Sequence, residues 1–289
     1  MREYIISTES NADLPEEFIE ANNICIIPHY YSIEEKVYGE GEELTTAEFY
    51  AEMRSKKKAA TMASNPAVIL DRFTAYAKEG KDILHISFSS ALSAGYSNIV
   101  MGAKEVMEEY PEMTIKVIDT LSASVGEMLM IMKALECRET GMDIEGAAAE
   151  IERLSPHLCL QFTVDDLNHL YRGGRLSKAS AVLGTIVSVK PILYVDQEGR
   201  LAALDKTRGR KKSLALLVDN MEKRVGSFRD RQIAIGIIHG DCEVDAVYLK
   251  ELIKERLGYE NFIIRPIGPS IGAHSGPGAI GVIYLGDHR

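Results

Sequence analysis

Short apolar runs alternate along this chain with stretches of helical period. Residues 4–7, 24–28, 83–87 and 114–118 are short and mostly apolar, and read as strands. Between them the spacing predicts helices over about 15–22, 46–54, 66–79, 96–110, 124–138 and 144–154. Several of these open on residues suited to a helix start, with Asp13 or a neighbour, Thr45 or Thr46, and Pro66 at the expected places. Residues 33–44, rich in Glu and Gly, read as an exposed loop or small hairpin. Repeated strand–helix alternation predicts an α/β domain over residues 1–155, an open, mostly parallel sheet with helices on both faces.

After Pro156 the texture changes. Residues 158–164 read as a strand, and 165–184 as two short helices broken at Gly173-Gly174. A hairpin over 190–204 turns near 197–199. Helices over 213–225 and 244–257 and strands over 232–239 and 262–266 follow, and the end is glycine-rich. Helices mixed with antiparallel strands predict an α+β domain over residues 156–289.

A length of 289 residues fits this two-domain division, and 46% hydrophobic residues is ordinary for a soluble globular chain. The net charge of −10 argues against nucleic acid as the main partner. Cys25, Cys137, Cys159 and Cys242 are far apart with no CxxC, which suggests buried free thiols in a reducing compartment. The N-terminus lacks a signal-peptide apolar core, and no apolar run reaches the ~18 residues of a membrane span. A cytoplasmic protein is expected. The methionines at 101, 107, 128, 130 and 132 fall on predicted helices and read as core, with some able to line an adaptable tunnel.

The stretch DILHISFSSALSAGY, residues 82–96, joins a strand to a helix through a hydroxyl-rich turn. Such turns aim backbone N–H groups and small donors at an anion, and Ser93 is the leading candidate. Ligands of open parallel sheets bind outside the carboxyl ends of the strands. Three strand ends carry hydroxyl clusters: Ser7, Thr8 and Ser10; Ser87, Ser89, Ser90 and Ser93; Thr120, Ser122 and Ser124. Thr61 and Ser64, just before Pro66, are a fourth. Helix capping explains many serines, but clusters at equivalent positions suggest a shared polar mouth.

Two motifs mislead. Residues 268–272 match G-x-S-x-G, but a nucleophile elbow needs a helix directly after the serine, and here glycines and a proline follow. Residues 276–281 match G-x-G-x-x-G, but a strand rather than a helix follows. Neither a P-loop nor HExxH is present, and no carboxylates pair at metal-binding spacing, so no cofactor and no metal are expected. His274 lies in GAHSGPGAIG, read as a glycine-rich turn between two strands. Its neighbours let the backbone approach a ligand, and its ring can donate to an anion.

In order, the segments STESNADLP, TMASNP, SSALSAGYSNI, DTLSASVG, YRGGRLSKASAVLGTIVSVKPIL and GAHSGPGAIGVIY resemble motifs of the DegV family of bacterial fatty-acid-binding proteins. These are the lipid-presenting subunits of fatty acid kinase. The resemblance covers nearly the whole chain. It implies a two-domain fold with a long-chain fatty acid in a tunnel between the domains, its carboxylate held by Thr61, Ser93 and His274. Ser64, Ser90, Gly276 and Gly278 would support the loops. A partner ATP-dependent kinase, the fatty acid kinase catalytic subunit, would phosphorylate the carboxylate for phospholipid synthesis, so the chain would not itself be an enzyme. Departures are Glu9 for a usual aspartate, Met62-Ala63 for Ser-Gln, Ser64-Asn65 for Pro-Ser, and Ala94 for a common glycine.

Arg172 and Arg175, with Lys206, Arg208, Arg210, Lys211 and Lys212, make two basic groups in an acidic chain. They suggest a face for docking the kinase or, at most transiently, an anionic membrane. The rival reading is a stand-alone acyl hydrolase or transferase using Ser93 as nucleophile and His274 as base.

Overall fold

The structure, a computed structural model, describes residues 2–41, 43–177 and 189–289. Its first half runs β1 (Tyr4–Glu9), α1 (Glu16–Asn22), β2 (Cys25–Ile27), β3 (Tyr30–Ile33), β4 (Lys36–Tyr38), α2 (Thr46–Arg54), β5 (Ala59–Met62), α3 (Pro66–Lys78), β6 (Asp82–Ser87), α4 (Gly95–Glu109), β7 (Ile115–Asp119), α5 (Val125–Glu139) and α6 (Ile144–Leu154). Strands β2, β1, β6 and β7 form, in that order, a wholly parallel sheet. Every residue of β1 and β6 is buried, because helices cover both faces. Ile5 and Ile83 pack with Phe73 and Ile99 from α3 and α4. Ile6 and Leu84 point the other way, into the cluster that holds Leu129 and Ala134 of α5.

The second half runs β8 (Leu158–Thr163), α7 (Asn168–Arg172), β9 (Val189–Val195), β10 (Leu201–Arg208), α8 (Arg210–Arg224), β11 (Ile235–His239), α9 (Glu243–Leu257), β12 (Phe262–Pro266), α10 (Pro269–Ser275) and β13 (Ile280–Leu285). It builds a six-stranded sheet in the order β10-β9-β8-β13-β11-β12. Helix α5 belongs to both halves: it packs on β1 and β6 and also on β11 and β13. That explains why α5 is buried on nearly every side. Gly236 of β11 permits the close approach, since a Cβ there would lie 2.6 Å from Val125.

Several local expectations need correction. The strands of the second half are not all antiparallel: β11 and β12 pair in parallel across α9. Residues 59–62 form β5, which completes a small antiparallel sheet, β4-β3-β5. Ala59 and Ala60 carry little strand preference, so β5 exists through its pairing with the Tyr30–Ile33 strand. The segment around His274 is helical rather than a turn. Pro269 sets the first helical φ, and Gly276, at φ +76°, ends the helix. The second of the two short helices expected in 165–184 lies mostly outside the described residues.

Asp13 does not cap α1, whose N-cap is Pro15. Its carboxylate is buried and accepts hydrogen bonds from the Gly268 N–H at 3.0 Å and from the Ser124 hydroxyl. Arg265 Nε donates to its backbone carbonyl at 2.9 Å. Asp13 therefore ties the end of β1 to the start of α10. Burial raises its pKa from 3.8 to about 7, against the lowering pull of Ser124, Gly268 and Arg265. An acid with a higher pKa folded than unfolded loses its stability contribution as pH rises between the two values. Asp13→Asn keeps the shape without the titration. Its Tm relative to the parent is expected to climb between about pH 4 and 7 and then level off. Thermal melts with the same difference at both ends of that range would contradict this.

Candidate functional site

A cavity of about 200 Å³ lies between the carboxyl ends of the parallel strands and one face of the six-stranded sheet. Its lining includes Asn11 after β1 and Phe88, Leu92 and Ser93 after β6, the neighbouring strands between which the strand order reverses. The cavity has two unlike walls. Leu160 and Phe162 of β8, Val195 of β9, Leu201 of β10 and Ile238 of β11 supply the apolar one, joined by Phe88, Leu92 and Ala123. Polar side chains come from the strand-end loops, β5 and α10: Asn11, His29, Thr61, Ser93, Ser270, His274 and Ser275, with Arg175 from the loop after α7.

Thr61, Ser93 and His274 thus meet in one cavity although they lie on three separate elements. Thr61 Oγ1 sits 2.8 Å from His274 Nε2. Burial, with the nearby Arg175 cation, pushes the His274 pKa down to about 4, so the ring is neutral at pH 7. With Nε2 protonated, His274 donates to Thr61 and leaves the Thr61 hydroxyl hydrogen to point elsewhere. His274 Nδ1 is buried without a hydrogen-bond partner. Ser93 lies in the turn after β6, and its Oγ accepts the Gly95 N–H at 3.0 Å. The Ser93 hydroxyl hydrogen remains available to a second acceptor.

Arg175 is half-buried and faces inward. Its Nε donates to the Leu92 carbonyl at 3.0 Å, and a second guanidinium nitrogen donates to the Gly173 carbonyl. Burial lowers its pKa. It holds the loop after α7 against the Ser93 turn. Arg172 is exposed and stands 3.1 Å from His169 Nδ1. Ser64 is buried outside the cavity lining, and its carbonyl accepts from Asn98 at 3.0 Å. Ser90 is exposed on an outer groove shared with Ser97 and Arg200. Gly276 and Gly278 have positive φ and pack under His169 and Asp165, behind the cavity rather than on its surface.

Most of the hydroxyl clusters turn inward instead of forming a polar mouth. Ser7, Thr8, Ser87, Ser89, Thr120, Ser122 and Ser124 are fully buried. Glu9 Oε1 accepts from Ser87 Oγ at 2.9 Å, and Oε2 accepts from the Phe88 N–H at 3.2 Å. His85 bridges Glu9, at 3.3 Å, and Ser7, at 3.0 Å. Burial alone would raise the Glu9 pKa, but the hydrogen bond and charge of His85 reverse it, and the net shift is downward. This network anchors the strand ends beneath the Ser93 turn. Among the described residues no group of side chains could hold a metal, and no helix is long and apolar enough to cross a membrane.

The Gly268–Gly272 motif does contain a helix, α10, so the expected ground for dismissing it falls. Ser270 nevertheless sits inside the first turn of α10, not at a strained strand-to-helix elbow, and its φ is not positive. Asn11, His29, Ser270 and Ser275 line the cavity without having stood out as ligand residues in the sequence.

The neighbour of His274 offers a sharp test. A Cβ on Gly173 would lie 2.0 Å from His274 Nδ1, while the Gly173 backbone, at φ −74°, suits alanine. Gly173→Ala is expected to displace the ring and break its bond to Thr61. The Nε2 resonance of His274 should shift in a histidine-detected spectrum with little change in Tm. An unmoved resonance would mean that the ring is not held as described.

The profile of the family described as "Uncharacterised protein, DegV family" matches residues 4–287. A DegV domain-containing protein of Clostridium perfringens is 36% identical over 291 residues, covering 100% of this chain and 99% of its own length. Among solved structures, one described as fatty acid binding of a DegV family protein from Thermus thermophilus matches with a TM-score of 0.87 at 27% identity, over 99% of this chain and 100% of that one. A fatty acid binding DegV family protein from Streptococcus agalactiae matches with a TM-score of 0.87 at 27% identity, over 100% of both chains. The two solved structures share the mixed α/β fold from end to end, and the chain belongs to the DegV family.

Proposed function

We propose that this protein binds a long-chain fatty acid in the cavity between residues 1–155 and 156–289 and presents its carboxylate to a separate ATP-dependent kinase for acyl-phosphate formation. The observation that carries the reading is the two-walled cavity, an apolar sheet face opposite Thr61, Ser93 and His274. Each buried methylene contributes ~0.8 kcal/mol, so a long acyl chain gains on the order of 10 kcal/mol before ordering costs. An unpaired buried carboxylate would forfeit several kcal/mol of that. Hydroxyl donors on Ser93 and Thr61, with neutral His274 behind Thr61, offset the loss, while the Arg175 guanidinium in the lining is engaged with the Leu92 and Gly173 carbonyls. A carboxylate held by neutral donors stays accessible to phosphorylation.

The geometry favours this over the hydrolase reading. Nucleophilic catalysis needs a serine hydrogen-bonded to its base. Ser93 Oγ instead accepts from Gly95, and His274 Nε2 is engaged with Thr61. For kinase docking, exposed Arg172 and, as a second basic group, exposed Lys206, Arg208, Lys211 and Lys212 are the candidates. Arg175 and Arg210 serve internal contacts, the latter to Asp245 at 2.9 Å. The reading places the protein in the cytoplasm, where ATP and acyl chains meet.

Organic extraction and mass spectrometry of protein purified from a bacterial host tests the binding step. Long-chain fatty acid is expected at close to one per chain. Protein that is consistently empty, and that takes up neither palmitate nor oleate, would defeat the proposal.

A further inference from the structure

We propose that His29 is an additional head-group contact, donating from Nε2 to the carboxylate oxygen that Ser93 and Thr61 leave short of a partner, and that it selects carboxylic acids over neutral lipids of the same chain. This rests on the fatty-acid reading above. His29 follows β2 by two positions and lines the cavity. It is 6% exposed, and its Nε2 is buried with no hydrogen-bond partner. The residue is firmly placed: Ser10 Oγ accepts its backbone N–H at 2.9 Å, and its ring meets Phe88 edge-on at 6.3 Å between centroids.

Its position is beside Ser93. A Cβ placed on Gly95 would lie 3.1 Å from His29 Nε2 and 3.3 Å from Ser93 Oγ, so the two polar atoms flank the same point at the start of α4. A carboxylate offers about four acceptor sites. His274 has its Nε2 on Thr61, which leaves Ser93 and Thr61 as the direct donors of the expected set. A third donor is therefore wanted, and His29 Nε2, buried without a partner beside Ser93, can supply it.

The ring suits the task in both states of the cavity. Burial lowers the His29 pKa, the Glu9 charge pulls the other way, and His85 adds to the lowering. A neutral ring carries one N–H to offer an anion, yet brings no unpaired charge into the empty cavity. A fatty alcohol or methyl ester has no charge to satisfy and would gain little from this donor, whereas charge-assisted bonds to a carboxylate are the stronger kind.

The test compares palmitate with 1-hexadecanol on wild type and on His29→Phe, which keeps a ring but removes both nitrogens. Palmitate affinity is expected to fall ~10- to 100-fold in His29→Phe, with hexadecanol affinity changed less than about threefold. Equal losses for both ligands, or no loss for either, would overturn the role of His29. In case the variant folds poorly, the nitrogen resonance of His29 Nε2 in wild type supplies a second readout. It should shift on loading with palmitate and stay put with hexadecanol; an unmoved resonance on palmitate loading would overturn the proposal. Palmitate binding by wild type with unchanged discrimination in the variant removes only His29. Failure of wild type to bind palmitate removes the fatty-acid reading itself.

Discussion

Ser93→Ala protein loaded with palmitate is expected to form acyl phosphate at least ~100-fold more slowly than wild type when kinase and ATP are added, because small misplacements of a reacting atom carry penalties of that size. Binding should survive. Removing one hydroxyl leaves a buried acceptor short of a partner, at ~1–3 kcal/mol, a fraction of the apolar gain from the acyl chain. On the proposed reading the carboxylate would, however, lose the group that fixes its orientation at the turn before α4. Loading must be confirmed by mass before the kinase is added, so that a slow rate cannot be mistaken for an empty cavity. Wild-type rates from fully loaded Ser93→Ala would put the head group at some other place.

The second large effect concerns the chain rather than the head group. Ala123 lines the cavity in the loop between β7 and α5 and is 7% exposed. Ala123→Phe puts a ring into space that the acyl chain would use. Excluding about five methylenes at ~0.8 kcal/mol each removes ~4 kcal/mol, close to a thousandfold in affinity. The empty protein should keep its fold, since the ring fills a void. Calorimetric titration with palmitate, beside a thermal melt of the unloaded variant, measures both quantities. Affinity within tenfold of wild type in a well-folded variant would show that the chain does not run past Ala123.

How much of this was legible in the sequence follows from the physics of each signal. The strands β1, β6 and β7 and the helices between them stand out because a covered parallel sheet favours mostly apolar short runs, and these alternate with helical periodicity. Strand β5 leaves none: Ala-Ala-Thr-Met becomes a strand only by pairing with the Tyr30–Ile33 segment. Helix α10 was hidden by its glycines, since local propensity cannot register the packing of Ala273 beside Phe49 and Tyr50. The hydroxyl clusters were visible, but their direction was not. Ser93 reaches the cavity, while Ser87 and Ser124, equally prominent in the sequence, spend their hydroxyls on Glu9 and Asp13. Thr61 and His274, 213 residues apart, come together only in three dimensions. His29 gave no sign at all, because a lone histidine after a short strand has no periodic partner.

A crystal structure of the palmitate-loaded protein bears most directly on the central claim. The carboxylate should lie within hydrogen-bonding distance of Ser93 Oγ and Thr61 Oγ1, with the acyl chain along the sheet face made by Leu160, Phe162 and Val195. A head group at the opposite end of the cavity, or a lipid bound elsewhere with the cavity empty, would contradict it.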